Sequence, residues 1–169
     1  MDFYEVVAEY NSVSTFYIPV ALAMIMSGVN HKDAYSDVHR ICLKIGTYFE
    51  AQEDYLDVFG LQENKDRLGT SIAIGKYTWP IVIAIGRSNS LHYNMLMDNY
   101  GRNDTFKICV VKTIFERLHI QSFYGDYEYD VRKKISSEIG HLPEEITNKL
   151  FKTIMRALLN RWPGSYESH

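Results

Sequence analysis

The chain has 169 residues, 46% hydrophobic and 23% charged, with a formal net charge of −3. That composition suits one globular domain with its own core, and the slight negative charge gives no electrostatic ground for binding nucleic acid. The cysteines Cys42 and Cys109 have no metal-ligand or redox spacing; both fall in apolar-periodic helical segments and are expected to be buried free thiols of a reducing compartment.

Taken in order, residues 2–12 read as a helix with Phe3, Val6, Val7 and Tyr10 on one stripe. Asn11, Ser12, Ser14 and Thr15 weaken it, because such side chains compete for backbone hydrogen bonds. Pro19 removes a helical bond, so a kink is expected there. Apolar residues then continue to Val29 with almost no polar face, the pattern of a buried helix, until Gly28 and Asn30 end it. Asn30 or Asp33 caps the next helix, which runs to Phe59 with Val38, Ile41, Cys42, Ile45, Phe49 and Leu56 on its stripe. Such a length suits the central rod of a bundle.

Glu53 and Asp57 lie four residues apart near the end of this rod, with Asp54 beside Asp57. Carboxylates on one helix face are most often solvated, but these sit among Tyr55, Leu56, Val58 and Phe59. One or two carboxylates completed by water and phosphate oxygens is how Mg²⁺ is usually held. Gly60 reads as a helix-stopping C′ glycine. The polar loop 60–70 carries Lys65 and Arg67 and is either solvated or able to close on a diphosphate.

Short helices follow near 71–76, from Pro80 to Gly86 and over 90–99, the last with Leu91, Met95 and Leu96 on a stripe. Asp104 caps a helix through Leu118. Another spans 121–139, and Pro143 opens a final one to Arg161. The expectation is one all-α domain over 1–162, with a disordered tail at 163–169. No strand-period segment and no repeat of 20–50 residues stands out. The six histidines show no zinc-ligand spacing, and Arg132-Lys133-Lys134 reads as a solvated helix face. The acidic start gives no secretory leader, and the longest apolar run is too short for a bilayer. An intracellular, cytoplasmic protein is expected, with the nucleus left open and no membrane partner.

Glu50-Ala51-Gln52-Glu53-Asp54-Tyr55-Leu56-Asp57, followed by Phe59-Gly60, resembles the second aspartate-rich motif of the trans-prenyl diphosphate synthases, and specifically of the farnesyl diphosphate synthases. Phe16-Tyr17-Ile18-Pro19-Val20-Ala21 before it is similar to the family's preceding segment. Leu68-Gly69-Thr70, Lys76-Tyr77-Thr78-Trp79, Asp98-Asn99-Tyr100-Gly101 and Tyr127-Glu128 then follow in family order. The likeness extends from about Tyr4 to Arg161 and implies an isoprenoid-synthase-like helical bundle, truncated to about its C-terminal half.

The resemblance implies a chemistry of allylic diphosphate ionisation and attack by isopentenyl diphosphate. Two aspartate-rich motifs clamp Mg²⁺ on the leaving diphosphate, where the metal stabilises developing charge. Only the second motif has a counterpart here. Its residues Glu53, Asp54 and Asp57 are the candidate, vestigial metal ligands. Asn11 and Ser12 fall where the family has Lys-Thr. Glu50 replaces a Gln, Ser71 the Asp of Gly-Thr-Asp, and Ala73-Ile74 a Gln-Asp pair. Arg67 replaces a lysine, keeping charge but not point geometry, while Gln52 and Lys76 are kept. Asn11, Ser12, Gln52, Arg67 and Lys76 are thus vestigial catalytic candidates.

Half a bundle leaves apolar faces uncovered, and large exposed apolar patches mark interfaces. Phe16, Tyr17, Val20, Leu22, Met24 and Ile25 are expected to form one, against a second copy, a full-length synthase or another protein. The leading expectation is a catalytically degenerate interaction or scaffold subunit without a cofactor. The alternative is a subunit or fragment of an active Mg²⁺-dependent farnesyl diphosphate synthase, completed by another chain.

Overall fold

The computed structural model describes residues 3–60, 69–142 and 148–161, and every regular element among them is helical. In order these are α1 (Phe3–Ser12), a π-helical turn (Val13–Tyr17), α2 (Ile18–Met26), α3 (Lys32–Phe59), α4 (Thr70–Ile74), α5 (Trp79–Arg87), α6 (Ser90–Asn99), α7 (Thr105–Arg117), α8 (Ile120–Gly140) and α9 (Asn148–Leu159). The loop with Lys65 and Arg67, Pro143 and the tail 163–169 lie outside the described residues. Contacts group the chain into two compact units, 1–49 with 127–169, and 50–126.

The first unit is built on the N-terminal part of α3. Val38, Ile41, Cys42, Ile45 and Tyr48 make its inward stripe, meeting Val20 and Met24 of α2, Ile135 and Ile139 of α8, and Phe151, Met155 and Leu158 of α9. The spacing of 151, 155 and 158 is that of one helix face. Burial pushes the Cys42 thiol up to about 12, which makes it inert. Inside this unit Tyr48 Oη donates to the buried Glu128 carboxylate at 2.6 Å. Burial and that bond both raise the Tyr48 phenol.

Pro19 does not simply kink its helix. The preceding turn widens instead, with the Ile18 N–H bonding back to the Val13 carbonyl five residues earlier. Proline has no N–H for the usual bond and its ring crowds the carbonyl four residues back, so one wider turn lets the rod continue. Pro19 then occupies the first turn of α2, where no N–H is needed. At the other end Gly28, at φ 76°, closes α2. Its N–H reaches Ile25 O and that of Val29 reaches Met24 O, both at 3.0 Å, a Schellman motif.

The expected stripe of α1 turns out to be its outer face. Phe3, Val6, Val7 and Tyr10 are exposed, while Tyr4, Ala8 and Ser12 are buried. Close backbone approach decides this. Ser12 lies against Gly46 of α3, where an added Cβ would fall on the Ser12 Cβ and Oγ, and Ser12 Oγ turns back to Ala8 O at 2.5 Å. Gly46→Ala is accordingly expected to destabilise the chain by about 1–3 kcal/mol through overpacking. Urea unfolding followed by far-UV circular dichroism checks it, and an unchanged midpoint would show that Ser12 yields freely.

In the second unit Tyr55 and Val58 of α3 pack with Ile72, Trp79, Ile81, Ala84, Leu96, Val111, Ile114, Phe115, Ile120 and Tyr124. Asp104 caps α7 as expected, accepting from Lys107 N–H at 2.9 Å, and Asn89 caps α6 through His92 N–H at 2.8 Å. Cys109 is exposed, correcting the expectation of burial. It shares the outer stripe of α7 with Phe106 and Thr113, while Val111, Ile114 and Phe115 turn inward. Within α6, Leu91 likewise faces out and Leu96 in. No helix among the described residues is long and apolar enough to cross a membrane.

Candidate functional site

The end of α3 carries the acidic residues into the second unit. Asp54 is buried, its side chain 3% exposed, and both its oxygens are engaged. Lys76 Nζ donates to one at 2.8 Å and the Trp79 backbone N–H to the other at 3.0 Å. The Trp79 N–H at the start of α5 thereby has an acceptor from another helix. Asp57, one turn later, does the same for α4. Thr70 Oγ1 donates to one oxygen at 2.7 Å, and the Ser71 N–H, at 3.1 Å, and Ser71 Oγ donate to the other. Gly69, which precedes α4 at φ 82°, has no side chain to cap it, so Asp57 supplies the missing acceptor. Burial raises the Glu50 carboxyl, which Lys76 opposes and Asp54 and Glu53 reinforce. For Lys76, burial works downward, but the bond to Asp54 and the charges of Asp54, Glu50 and Asp57 leave its ammonium raised.

An aromatic layer fixes this end of α3. The Tyr55 ring stacks on Tyr124, centroids 3.8 Å apart and planes 10° from parallel, and tilts against Phe59 at 5.0 Å. Trp79 meets the edge of Tyr124 at 5.4 Å, so the residue whose N–H holds Asp54 is itself held. The segment bearing Lys76 is clamped from a third side. Tyr100 Oη donates to Lys76 O at 2.7 Å and lies 3.3 Å from Thr78 Oγ1. Gly75 and Gly101, both at positive φ, pack backbone to backbone; a Cβ on Gly75 would meet Gly101 Cα at 3.1 Å. Gly60 does end α3, but without the left-handed φ of a C′ glycine. Its N–H still bonds Leu56 O at 2.9 Å, and a Cβ there would collide with that same carbonyl.

Of the candidate residues, the second unit thus brings Asp54, Asp57 and Lys76 into one bonded set. Gln52 is buried and Glu53 half-buried on the same helix. Arg67 lies outside the described residues, and Asn11 and Ser12 belong to the other unit. Among the described residues no three acidic, histidine or cysteine side chains converge as metal ligands. The donors around Asp54 and Asp57 are a tethered ammonium, hydroxyls and backbone N–H groups. In the sequence Ser71 stands only where the resemblance implies a carboxylate, and nothing local marks Thr70 and Tyr100 as partners. A Gly-Thr-Ser start to a short helix was the one local hint of a helix needing a cap.

The expected interface residues divide. Leu22 and Ile25 are exposed, but Val20 and Met24 are buried in the first unit's core, and Phe16 and Tyr17 are half-buried against it. Phe16 meets Phe49 edge-on at 5.6 Å and Tyr17 meets His39 at 4.6 Å. A helix cannot present all its faces outward while docking on α3, so Val20 and Met24 are removed from the interface.

A family model described as polyprenyl synthetase matches residues 1–118. Farnesyl pyrophosphate synthase of Murgantia histrionica is 35% identical over 162 residues, covering 95% of this chain and 40% of that protein. The farnesyl pyrophosphate synthase of Zea mays is 34% identical over 147 residues, 87% of this chain and 42% of its own length. Farnesyl pyrophosphate synthase 1 of Lupinus albus is 35% identical over 147 residues, with 87% and 43% covered. The chain therefore spans about two-fifths of the length of these relatives. It belongs to the polyprenyl synthetase family.

Proposed function

We propose that this chain is a farnesyl diphosphate synthase-derived subunit that performs no prenyl transfer by itself and acts through protein contact. The observation that carries this reading is the state of the two retained aspartates. Both oxygens of Asp54 and both of Asp57 are bonded to donors of the chain itself. A metal clamp needs carboxylate oxygens that face a diphosphate; here they brace α4, α5 and Lys76. Ser71 strengthens the reading, because a hydroxyl donates to Asp57 where the resemblance implies a second carboxylate. Such an Asp would repel Asp57 unless a cation lay between them.

Calorimetric titration with an allylic diphosphate, with and without Mg²⁺, tests this. No Mg²⁺-dependent heat at micromolar ligand is the expected result. Micromolar Mg²⁺-dependent binding would overturn it. A second reading rests on the coverage of two-fifths of the relatives' length: a subunit whose carboxylates serve, with Mg²⁺, a site completed by another chain. Turnover on adding the remaining N-terminal part of a farnesyl diphosphate synthase would favour that reading, and a stable complex without turnover the first.

A further inference from the structure

One surface of the first unit is basic although the chain's net charge is −3. It is carried by α9 and the C-terminal part of α8, whose Ile135 and Ile139 share a core with Phe151, Met155 and Leu158. On α9, Lys149, Lys152 and Arg156 fall on one face by their 3–4 spacing, opposite that core, and all three are exposed. None of them has an ion pair among the described residues. Lys133 and Lys134 of α8 are exposed as well. Glu138 is the single carboxylate among the described residues from Arg132 to Arg161, and Arg40 and Lys44 of α3 both bond to it. Two cations thus already outweigh its charge, while Glu144 and Glu145 lie outside the described residues.

The residues around these cations decide what the face can take. A helix that lies on a membrane sets apolar side chains beside its cations. Among the large apolar side chains of α9, Leu150 alone is exposed, at 44%, because the others turn to the core. A nucleic acid repeats its charge far beyond the roughly 10 Å from Lys149 to Arg156, and the net negative charge of the chain repels it. Carboxylates at positions i, i+3 and i+7 of a partner's helix match Lys149, Lys152 and Arg156 in number, sign and spacing. We propose that the α8–α9 face docks an acidic segment of a protein partner, with its carboxylates on Lys149, Lys152 and Arg156. The proposal names the partner's chemistry for the protein-contact reading and rests on it.

Fluorescence anisotropy of a labelled peptide of three Glu-Ala-Ala-Glu-Ala-Ala-Ala repeats, titrated with the full chain, tests the docking. Saturable binding below about 100 μM at low salt is the expected result, weakening at least about 10-fold when salt is raised to about 200 mM. Lys152→Glu with Arg156→Glu is expected to weaken binding at least about 10-fold. Both side chains are exposed, so circular dichroism should show an unchanged fold. Arg102→Glu with Arg117→Glu makes the same charge change on exposed side chains of the second unit and is expected to stay within about 2-fold of the parent. No binding at about 1 mM would overturn the proposal, as would equal weakening by the two double variants. Sedimentation with phosphatidylserine vesicles that Lys152→Glu with Arg156→Glu abolishes would assign the face to lipid and equally overturn it. These outcomes are independent of the diphosphate titration: a chain that binds neither peptide nor diphosphate defeats the docking alone, and Mg²⁺-dependent diphosphate binding defeats the reading beneath.

Discussion

Replacing Lys76 with methionine is expected to lower stability at pH 7 by about 2–3 kcal/mol, since a buried carboxylate loses its ammonium. The size follows from the asymmetry of the pair. Lys76 is half exposed and stays solvated when its partner is removed, while Asp54 is 3% exposed and does not. Asp54→Asn should therefore cost less than Lys76→Met, because the amide oxygen still accepts from Trp79 N–H. The double variant should recover much of the Lys76→Met loss. A urea-denaturation cycle over the four proteins, followed by tryptophan fluorescence, measures the coupling. Additive losses would mean that the 2.8 Å contact contributes nothing. The pH dependence has a definite sign. The Lys76 ammonium is raised above its ordinary 10.5, so its contribution is fully present below that value and is lost as pH rises through the folded-state value.

Tyr124→Ala is expected to be the most damaging single change in the second unit, at about 3–5 kcal/mol. Its ring is the common neighbour of Tyr55 and Trp79, stacked on the first and edge-on to the second. Truncation opens a cavity beside Tyr55 and Trp79 and removes one ring contact from each. Tyr124→Phe keeps the ring and is expected to stay within about 1 kcal/mol of the parent. Because Trp79 also carries the N–H that holds Asp54, the damage should reach the acidic set. Faster amide hydrogen exchange at Trp79 in Tyr124→Ala, but not in Tyr124→Phe, is the signature. Equal exchange in both would mean that the aromatic layer and the carboxylate bond are independent.

Much of the helical order was legible because it is local. The span of α3 to Phe59, the cap at Asp104 and the stop at Gly28 depend on residues within a turn or two. The ordered motifs around Glu53–Asp57, Gly69-Thr70 and Lys76–Trp79 were equally legible as a family resemblance, and the family model agrees. Their use was not legible. A helix period says which residues share a face, not what that face meets. The stripe Phe3, Val6, Val7 and Tyr10 satisfies the period of a core face, yet the contact of Ser12 with Gly46 turns the opposite side of α1 inward. Cys109 fell on an outer stripe for the same reason.

Sequence by itself determined the all-α class, the helix ends with local chemical signals, and the family. Each depends on periods, caps and motif order that short range suffices to define. Tertiary structure alone decided that Val20 and Met24 are core while Leu22 and Ile25 are not, and that Asp57 caps a helix starting 13 residues later. A carboxylate is drawn to whichever donors the packed backbone brings within about 3 Å. Here those donors belong to the start of α4, the start of α5 and Lys76, and long-range packing places them there.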